Sequence, residues 1–160
     1  MLPGVPPPFR LPVGLRLNQA ARVVERAFDD ALAAAGGTLP VWLILLNLKI
    51  GRPGNQRELA EAVGIREATL THHLNGMDER GLITRVREPG NRRVQVVTLT
   101  DQGEAAFLRL RDAAIAFDAK LRAGVADDEV DQLEALLGRL AANVAGPALE
   151  GPPWAGLAGS

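Results

Sequence analysis

The residues best suited to chemistry in this chain are five arginines near its middle, which can bind phosphate groups. They are Arg80, Arg85, Arg87, Arg92 and Arg93. The chain of 160 residues has a formal net charge of −1, so this positive charge is local. Guanidinium groups bind phosphate oxygens in a bidentate manner, and a local basic patch is typical of nucleic-acid-binding proteins. A solvated charged surface would have the same composition, so charge alone leaves both interpretations open.

A predicted helix just before these arginines has an apolar face and a polar face. Leu70, Leu74 and Met77 recur at helical spacing and should pack against a core. The remaining candidates on that helix are Ala68, Thr69, Thr71, His72 and Asn75. Hydroxyl, imidazole and amide groups can bind phosphates or base edges, and an alanine methyl can contact the methyl group of thymine. The pattern favours DNA contact, and the alternative is a solvated helix face.

The composition offers little for catalysis or metal binding. The sequence contains no cysteine, no tyrosine and no Gly-rich phosphate loop. Zinc binding by His72 and His73 is not expected, because adjacent residues of a helix diverge and no thiolate is present. We therefore predict a protein that is not an enzyme and has neither a cofactor nor a metal.

The hydropathy pattern indicates a cytoplasmic protein. No apolar run reaches the roughly 18 residues that a membrane span requires. The first residues include Pro3, Pro6, Pro7 and Pro8, whereas a signal peptide would have a charged start and an apolar block.

The predicted elements indicate a helix-turn-helix. Helical periodicity predicts a first helix over residues 15–35, and Pro40 suits the start of a buried second helix. A third helix is expected from Gln56 to Val63. Gly64 then separates it from a fourth helix over residues 65–81, and two short helices joined by a Gly-containing turn form this motif.

A β-hairpin should follow the helix-turn-helix and form a wing. Residues 82–87 and 94–99 are rich in β-branched side chains, and residues 88–92 have turn chemistry. The predicted fold class is therefore mainly α with a small β-hairpin wing, a winged helix-turn-helix domain with helical dimerisation arms.

Two further helices after Thr100 have apolar stripes that suggest a partner surface. The first stripe comprises Phe107, Leu110, Ala114, Phe117 and Leu121, and the second comprises Val130, Leu133, Leu137, Leu140 and Val144. We expect these stripes to mediate a homodimer. The predicted organisation is a Pro-rich arm at 1–14, a dimerisation region at 15–37 and 101–145, a DNA-binding domain at 38–100 and a Gly/Pro-rich tail at 146–160.

Four segments resemble the MarR family of transcriptional regulators. Residues 55–65, NQRELAEAVGI, are similar to the family's TQRELAEALGI helix, and residues 68–74, ATLTHHL, resemble the start of its recognition helix. Residues 79–83, ERGLI, are similar to the family's ARGLV exit from that helix. Residues 88–93, EPGNRR, followed by TLT, resemble its DPxDRR…LT wing. The resemblance covers residues 15–144.

This resemblance assigns roles at the wing and marks three departures. It implies that Arg93 enters the minor groove of duplex DNA. Asn91 stands where the family usually has an aspartate, so a neutral hydrogen bond replaces an ion pair to the arginine. Arg66 replaces a frequent capping residue, and Gly76 replaces a frequent arginine. The predicted DNA-binding residues are Arg66, Ala68, Thr69, Thr71, His72, Asn75, Arg85, Arg87, Asn91, Arg92 and Arg93.

The resemblance also implies an effector pocket where the first, second and fifth helices meet the winged domain. The candidate ligand-binding residues are Arg22, Arg26, Phe28, Trp42, Leu46 and Phe107. An ordinary core role for the apolar members of this set is equally compatible with the sequence.

These observations predict a sequence-specific regulator that binds double-stranded DNA. The expected form is a homodimer on a pseudo-palindromic operator, acting as a repressor and released by a small-molecule effector. The alternative is a winged-helix scaffold for protein contacts without sequence-specific DNA binding.

Overall fold

A mainly helical chain with one β-hairpin is the observed architecture, as the sequence predicted. The computed structural model describes residues 11–50, 56–88 and 91–145, and only the backbone of residues 87, 88 and 91–95. The described elements are α1 (Val13–Ala34), α2 (Leu39–Lys49), α3 (Gln56–Val63), α4 (Glu67–Glu79), β1 (Ile83–Glu88), β2 (Asn91–Leu99), α5 (Asp101–Leu121) and α6 (Asp127–Val144). The predicted N-terminal arm falls mostly, and the C-terminal tail entirely, outside these residues.

Helix α2 lies at the centre of the core, because it is apolar on nearly all sides. Val41, Trp42, Ile44 and Leu45 are buried, and α2 packs against α1, α3, α4, α5 and β2. Thr38 precedes the helix and Pro40 lies in its first turn, where the missing N–H of proline costs no hydrogen bond. The central position of α2 therefore follows from the apolar composition of this helix.

The turn between α3 and α4 depends on Gly64, which has a φ of +76°. The amide of Gly64 donates to the carbonyl of Ala60 over 2.9 Å, and that of Ile65 donates to the same carbonyl over 3.0 Å. A left-handed residue at this position ends a helix at little cost only when it is glycine. Helix α4 begins at Glu67, two residues later than predicted, because Ile65 and Arg66 belong to the turn.

The hairpin is antiparallel, with a regular register from Ile83 opposite Leu99 to Arg87 opposite Gln95. Beyond this ladder Glu88 pairs with Asn91, so residues 92–94 have no opposing residue. The predicted second strand at 94–99 thus matches the regular ladder. The predicted turn at 88–92 is too long, because pairing resumes at Asn91 and makes the extra residues a bulge.

The predicted dimerisation stripe of α5 is divided between two roles. Phe107 and Leu110 are 7% and 2% exposed and belong to the core of the single chain, so the prediction that they face a partner is wrong. Phe107 stacks on Trp42 of α2, and Leu110 packs against Gly37 just before α2, contacts that the sequence pattern could not show. Ala114 and Phe117 are partly buried, and Leu121 remains 49% exposed.

Helix α6 contributes no buried residue to the chain. Val130 is partly buried, and the five other large apolar side chains are 37% to 86% exposed: Leu133, Leu136, Leu137, Leu140 and Val144. At the start of α6, Arg122 forms ion pairs with Asp118 and Asp127 that connect it to α5. A long helix with an exposed apolar stripe leaves a surface that a partner would bury.

The start of α5 packs tightly against the residue before the wing. Thr100 caps the helix, accepting a hydrogen bond from the amide of Gly103 over 3.0 Å. A Cβ added at Gly103 would lie 2.0 Å from the backbone oxygen of Leu82. Glycine is therefore required here by space rather than by dihedral angle.

Gly103→Ala is expected to destabilise the protein by about 1–3 kcal/mol or more, because the new methyl group meets backbone that cannot rotate away. The measurement is the free energy of unfolding in urea. Gly76→Ala is the matched control, since a Cβ there meets nothing within 4 Å. The control should gain roughly 0.5–1 kcal/mol from better helix propensity. Equal stability of the two variants would contradict the packing.

Among the described helices, no single one is long and apolar enough to cross a membrane, although α1 and α2 together, bent by 73°, pass that test by length and composition.

Candidate nucleic-acid interface

Helix α4 has a fully buried face and an exposed polar face. Leu70, Leu74 and Met77 are each 0% exposed. The candidate side chains Ala68, Thr69, Thr71, His72 and Asn75 are all exposed. The polar face is therefore held in place by three core anchors and is open to a ligand.

The first turn of α4 can contact an anion. Arg66 is the N-cap residue, is exposed and makes no side-chain capping hydrogen bond. Its backbone is extended, with φ −72° and ψ 147°. The unpaired amides at a helix N-terminus attract anions, and a guanidinium beside them adds positive charge. Among the described residues no partner of the Arg66 guanidinium is found, and Glu67 in the same turn offsets part of its charge.

Thr71 is more restricted than its exposure suggests. Its hydroxyl donates to the carbonyl of Glu67 over 2.9 Å. In this rotamer the hydroxyl can only accept a further hydrogen bond, which a phosphate cannot donate. Thr69 has no such bond among the described residues and is the better candidate for a phosphate contact.

His73 lies between the two faces of α4 and is partly buried, as expected for a packed histidine. Its ring centroid is 5.8 Å from that of His72. Burial, and secondly the neighbouring His72, lower the pKa of His73 below its ordinary value. Both effects favour the neutral imidazole in the folded chain.

The lowered pKa of His73 predicts acid destabilisation. The unfolded chain binds this proton more readily, so stability is present above the ordinary histidine pKa of about 6.5 and is lost as the pH falls below it. The free energy of unfolding should decline between about pH 7.5 and about pH 5, and less so in His73→Gln. His72→Gln removes only the second cause and should keep most of the decline. An identical decline in His73→Gln and the wild type would contradict the assignment.

Arg85 points into the protein, although the sequence suggested a DNA contact. Its Nη2 donates to Oδ1 of Asn75 over 2.6 Å, and its Nε is 3.5 Å from Oδ2 of Asp78. The side chain is only 15% exposed. It therefore joins the wing to α4 and is not free to bind phosphate. The missed signal is strand periodicity, because Ile83 is buried and Arg85, two residues later, shares its face.

The remaining wing candidates are placed by backbone alone. Arg87 lies opposite Gln95 on the regular ladder, and Asn91 pairs with Glu88. Arg92 and Arg93 belong to the bulged part of β2. The hairpin therefore carries these four residues at its outer end, and their side chains lie outside the described part of the structure.

The six candidate ligand-binding residues differ in burial and in the helices that carry them. Trp42 stacks on Phe107 with ring centroids 5.5 Å apart, and both side chains are buried. The ring centroids of Phe28 and Phe117 are 5.0 Å apart. Arg22 and Arg26 are exposed on α1. Leu46 is partly buried against the core, as is Phe28, so the apolar candidates have a core role whether or not they also meet a ligand.

A groove of about 740 Å³ runs between α1 and α5. Its lining is mainly apolar, with Asp30 and Lys120 as the charged members. None of the six candidate ligand residues lines it. In the described part of the chain, no group of three or more His, Cys, Asp or Glu side chains is arranged to hold a metal ion.

Comparison with known proteins connects this geometry to a family. Residues 38–94 match the family model described as the MarR family. The transcriptional repressor CouR bound to a 23-mer DNA duplex is 29% identical with a TM-score of 0.72, over 81% of this chain and 92% of that one. The M. tuberculosis transcriptional regulator MOSR in complex with DNA is 27% identical with a TM-score of 0.62, over 83% and 98%. CouR from Rhodococcus jostii RHA1 bound to p-coumaroyl-CoA aligns at 23% identity, TM-score 0.67, over 87% and 95%, a likeness of fold.

The six helices and the hairpin after α4 define a winged helix-turn-helix protein. Its residues 38–94 match the MarR family, the family whose motifs the sequence resembles, and the chain is similar in fold and sequence to DNA-bound transcriptional regulators.

Proposed function

We propose that this protein is a transcriptional repressor that binds a pseudo-palindromic operator as a homodimer. The observation that supports this function is the exposed polar face of α4, held by three fully buried anchors. A recognition helix of this motif enters the major groove by its N-terminal half, where each base pair presents a distinct set of donors and acceptors.

The proposed contacts divide between the groove and the backbone of DNA. Ala68, His72 and Asn75 face base edges, whereas Arg66 and Thr69 lie near the helix start and bind phosphates. Thr71 stays at the edge of this surface because its hydroxyl is bonded within α4. The wing residues Arg87, Asn91, Arg92 and Arg93 contact the adjacent minor groove and backbone. Arg85 does not contact DNA in this proposal; it holds the Asn75 side chain by a hydrogen bond from the protein side.

A homodimer is proposed because α6 has an apolar stripe without an intrachain partner in the described structure. Helices α1 and α5 also carry exposed apolar side chains that a second copy could cover. Val23 is 70% exposed and Ile115 is 61% exposed. We propose that residues 15–37 and 101–145 mediate dimerisation and that residues 38–100 bind DNA. This division describes the roles of the segments and not separate folding units. The core itself is shared, since Leu32, Phe107 and Leu110 belong to it.

Release by an effector is proposed to act through the space between α1 and α5. The repressor CouR, of the same fold, has been solved with p-coumaroyl-CoA. In this chain the groove lies between α1 and α5, both of which belong to the proposed dimerisation region, so a ligand there would change the distance between the two recognition helices. Arg22 and Arg26, which the sequence suggested as ligand-binding residues, lie on the exposed side of α1. They remain candidates for binding an anionic effector.

Selection of bound duplexes from genomic DNA, followed by fluorescence anisotropy on the selected site, tests this function. We expect tight binding of the selected site and at least about 10³-fold weaker binding of a scrambled duplex at physiological salt. Thr69→Ala and Arg66→Ala should weaken binding, while Arg111→Ala on α5 should not. Absence of binding to any duplex at low salt would favour the protein-contact scaffold instead.

A further inference from the structure

The contact between Arg85 and Asn75 determines which group Asn75 presents outward. Arg85 Nη2 lies 2.6 Å from Asn75 Oδ1. A guanidinium has donors only, so the atom that faces it must be the amide oxygen. Among the residues that the structure describes, none accepts a hydrogen bond from Asn75 Nδ2. The amide therefore keeps two N–H donors for a ligand on the exposed face of α4.

Arg85 is anchored well enough to impose this orientation. Its backbone is paired in the regular ladder opposite Val97, which is 5% exposed. Its side chain is 15% exposed, and its charge is balanced by Asp78 on the next turn of α4. Asn75 is thus held from the protein side by a group that cannot easily move away.

From this geometry we propose that Asn75 recognises guanine through its two N–H donors, with Arg85 as the positioning residue. The inference rests on the DNA-binding function proposed above. An unconstrained asparagine prefers adenine, donating to N7 and accepting from the N6 amino group. Here Arg85 competes for the amide oxygen, whereas guanine presents two neighbouring acceptors, N7 and O6. Fixing the side chain in advance also reduces the entropy lost on binding.

Selection of bound sequences from randomised duplexes tests the inference with the full chain. The wild type should select guanine at one position in each half-site, and Arg85→Met should shift that position toward adenine. The preference should change by roughly 5- to 150-fold, the usual range for one base contact. Methionine has similar length, and both partners of Arg85 are reachable by water, so the variant leaves no buried charge unpaired.

Three variants separate recognition from general support of the wing. Asn75→Ala should lose the preference at the same position and thereby identify it. Arg85→Lys keeps a donor toward the amide oxygen and should retain guanine. Thr84→Val is the matched control on β1, because Thr84 is exposed and bonds Thr98 across the hairpin over 2.8 Å. It should leave the preference unchanged.

Adenine at this position in the wild type, or guanine retained in Arg85→Met, would overturn the inference while leaving the DNA-binding function intact. A wild type that enriches no sequence at all would instead contradict the DNA-binding function itself. A simple structural role for Arg85 would lower affinity or stability without changing the selected base.

Discussion

Leu137→Asp is expected to convert the proposed dimer to a monomer and to reduce operator binding by at least about 10²-fold. Leu137 lies in the middle of the α6 stripe and is 37% exposed in the single chain. In a dimer a carboxylate there would be buried without a partner, which costs several kcal/mol. Loss of the second half-site removes the effective concentration of the linked helix, usually worth about 10²–10⁴-fold in affinity.

Sedimentation equilibrium and anisotropy measure the two effects of Leu137→Asp. Because α6 contributes no buried residue to the chain, the monomer should keep its helical circular dichroism. Ala142→Asp is the matched control, since it adds the same charge about 140° around α6 from Leu137, on the side away from the stripe. It should remain dimeric. A wild type that sediments as a folded monomer at micromolar concentration would contradict the proposed assembly.

Arg93→Ala and His72→Ala should impair DNA binding in different ways. Arg93 is assigned to the wing by family resemblance, and the minor groove offers a degenerate base code in a strongly negative slot. Its loss should weaken binding to all duplexes by roughly tenfold or more. The slope of log K against log salt should fall by about 0.9 for each phosphate contact, hence about 1.8 in a dimer.

His72 should show the opposite behaviour, because it faces the major groove. His72→Ala should relax sequence preference by about 1–3 kcal/mol and leave the salt slope nearly unchanged. The two half-sites should lie about 34 Å apart, one turn of DNA, to match a two-fold axis. A salt titration on operator and scrambled duplexes distinguishes the variants. If Arg93→Ala loses only operator binding while His72→Ala loses both equally, the roles are reversed.

The elements themselves were predictable because their signals are local. The all-apolar composition of α2 predicted a central helix, and the spacing of Leu70, Leu74 and Met77 predicted the buried face of α4. Gly64 predicted the turn, and Thr100 predicted the start of α5. Each signal arises from backbone geometry or from periodicity within a few residues, so it can be read from the amino-acid sequence alone.

The candidate site was predictable only in part. The exposed face of α4 follows from its helical period, and its five polar or small candidates lie there as expected. Arg85 was assigned to DNA from charge alone, whereas the structure directs it to Asn75 and Asp78. Charge specifies what a side chain can bind, and the packing of β1 on α4 decides which partner it meets.

By itself the sequence determined the helices, the hairpin, the polarity of each face and the resemblance of residues 38–94 to the MarR family. Only the tertiary structure decided which half of the α5 stripe is core, which arginine is internal and which group Asn75 presents to a ligand. Periodicity shows that a face is apolar or charged, but it does not show what covers that face. Phe107 is buried because α2 lies against it, and Leu137 is exposed because no described element does.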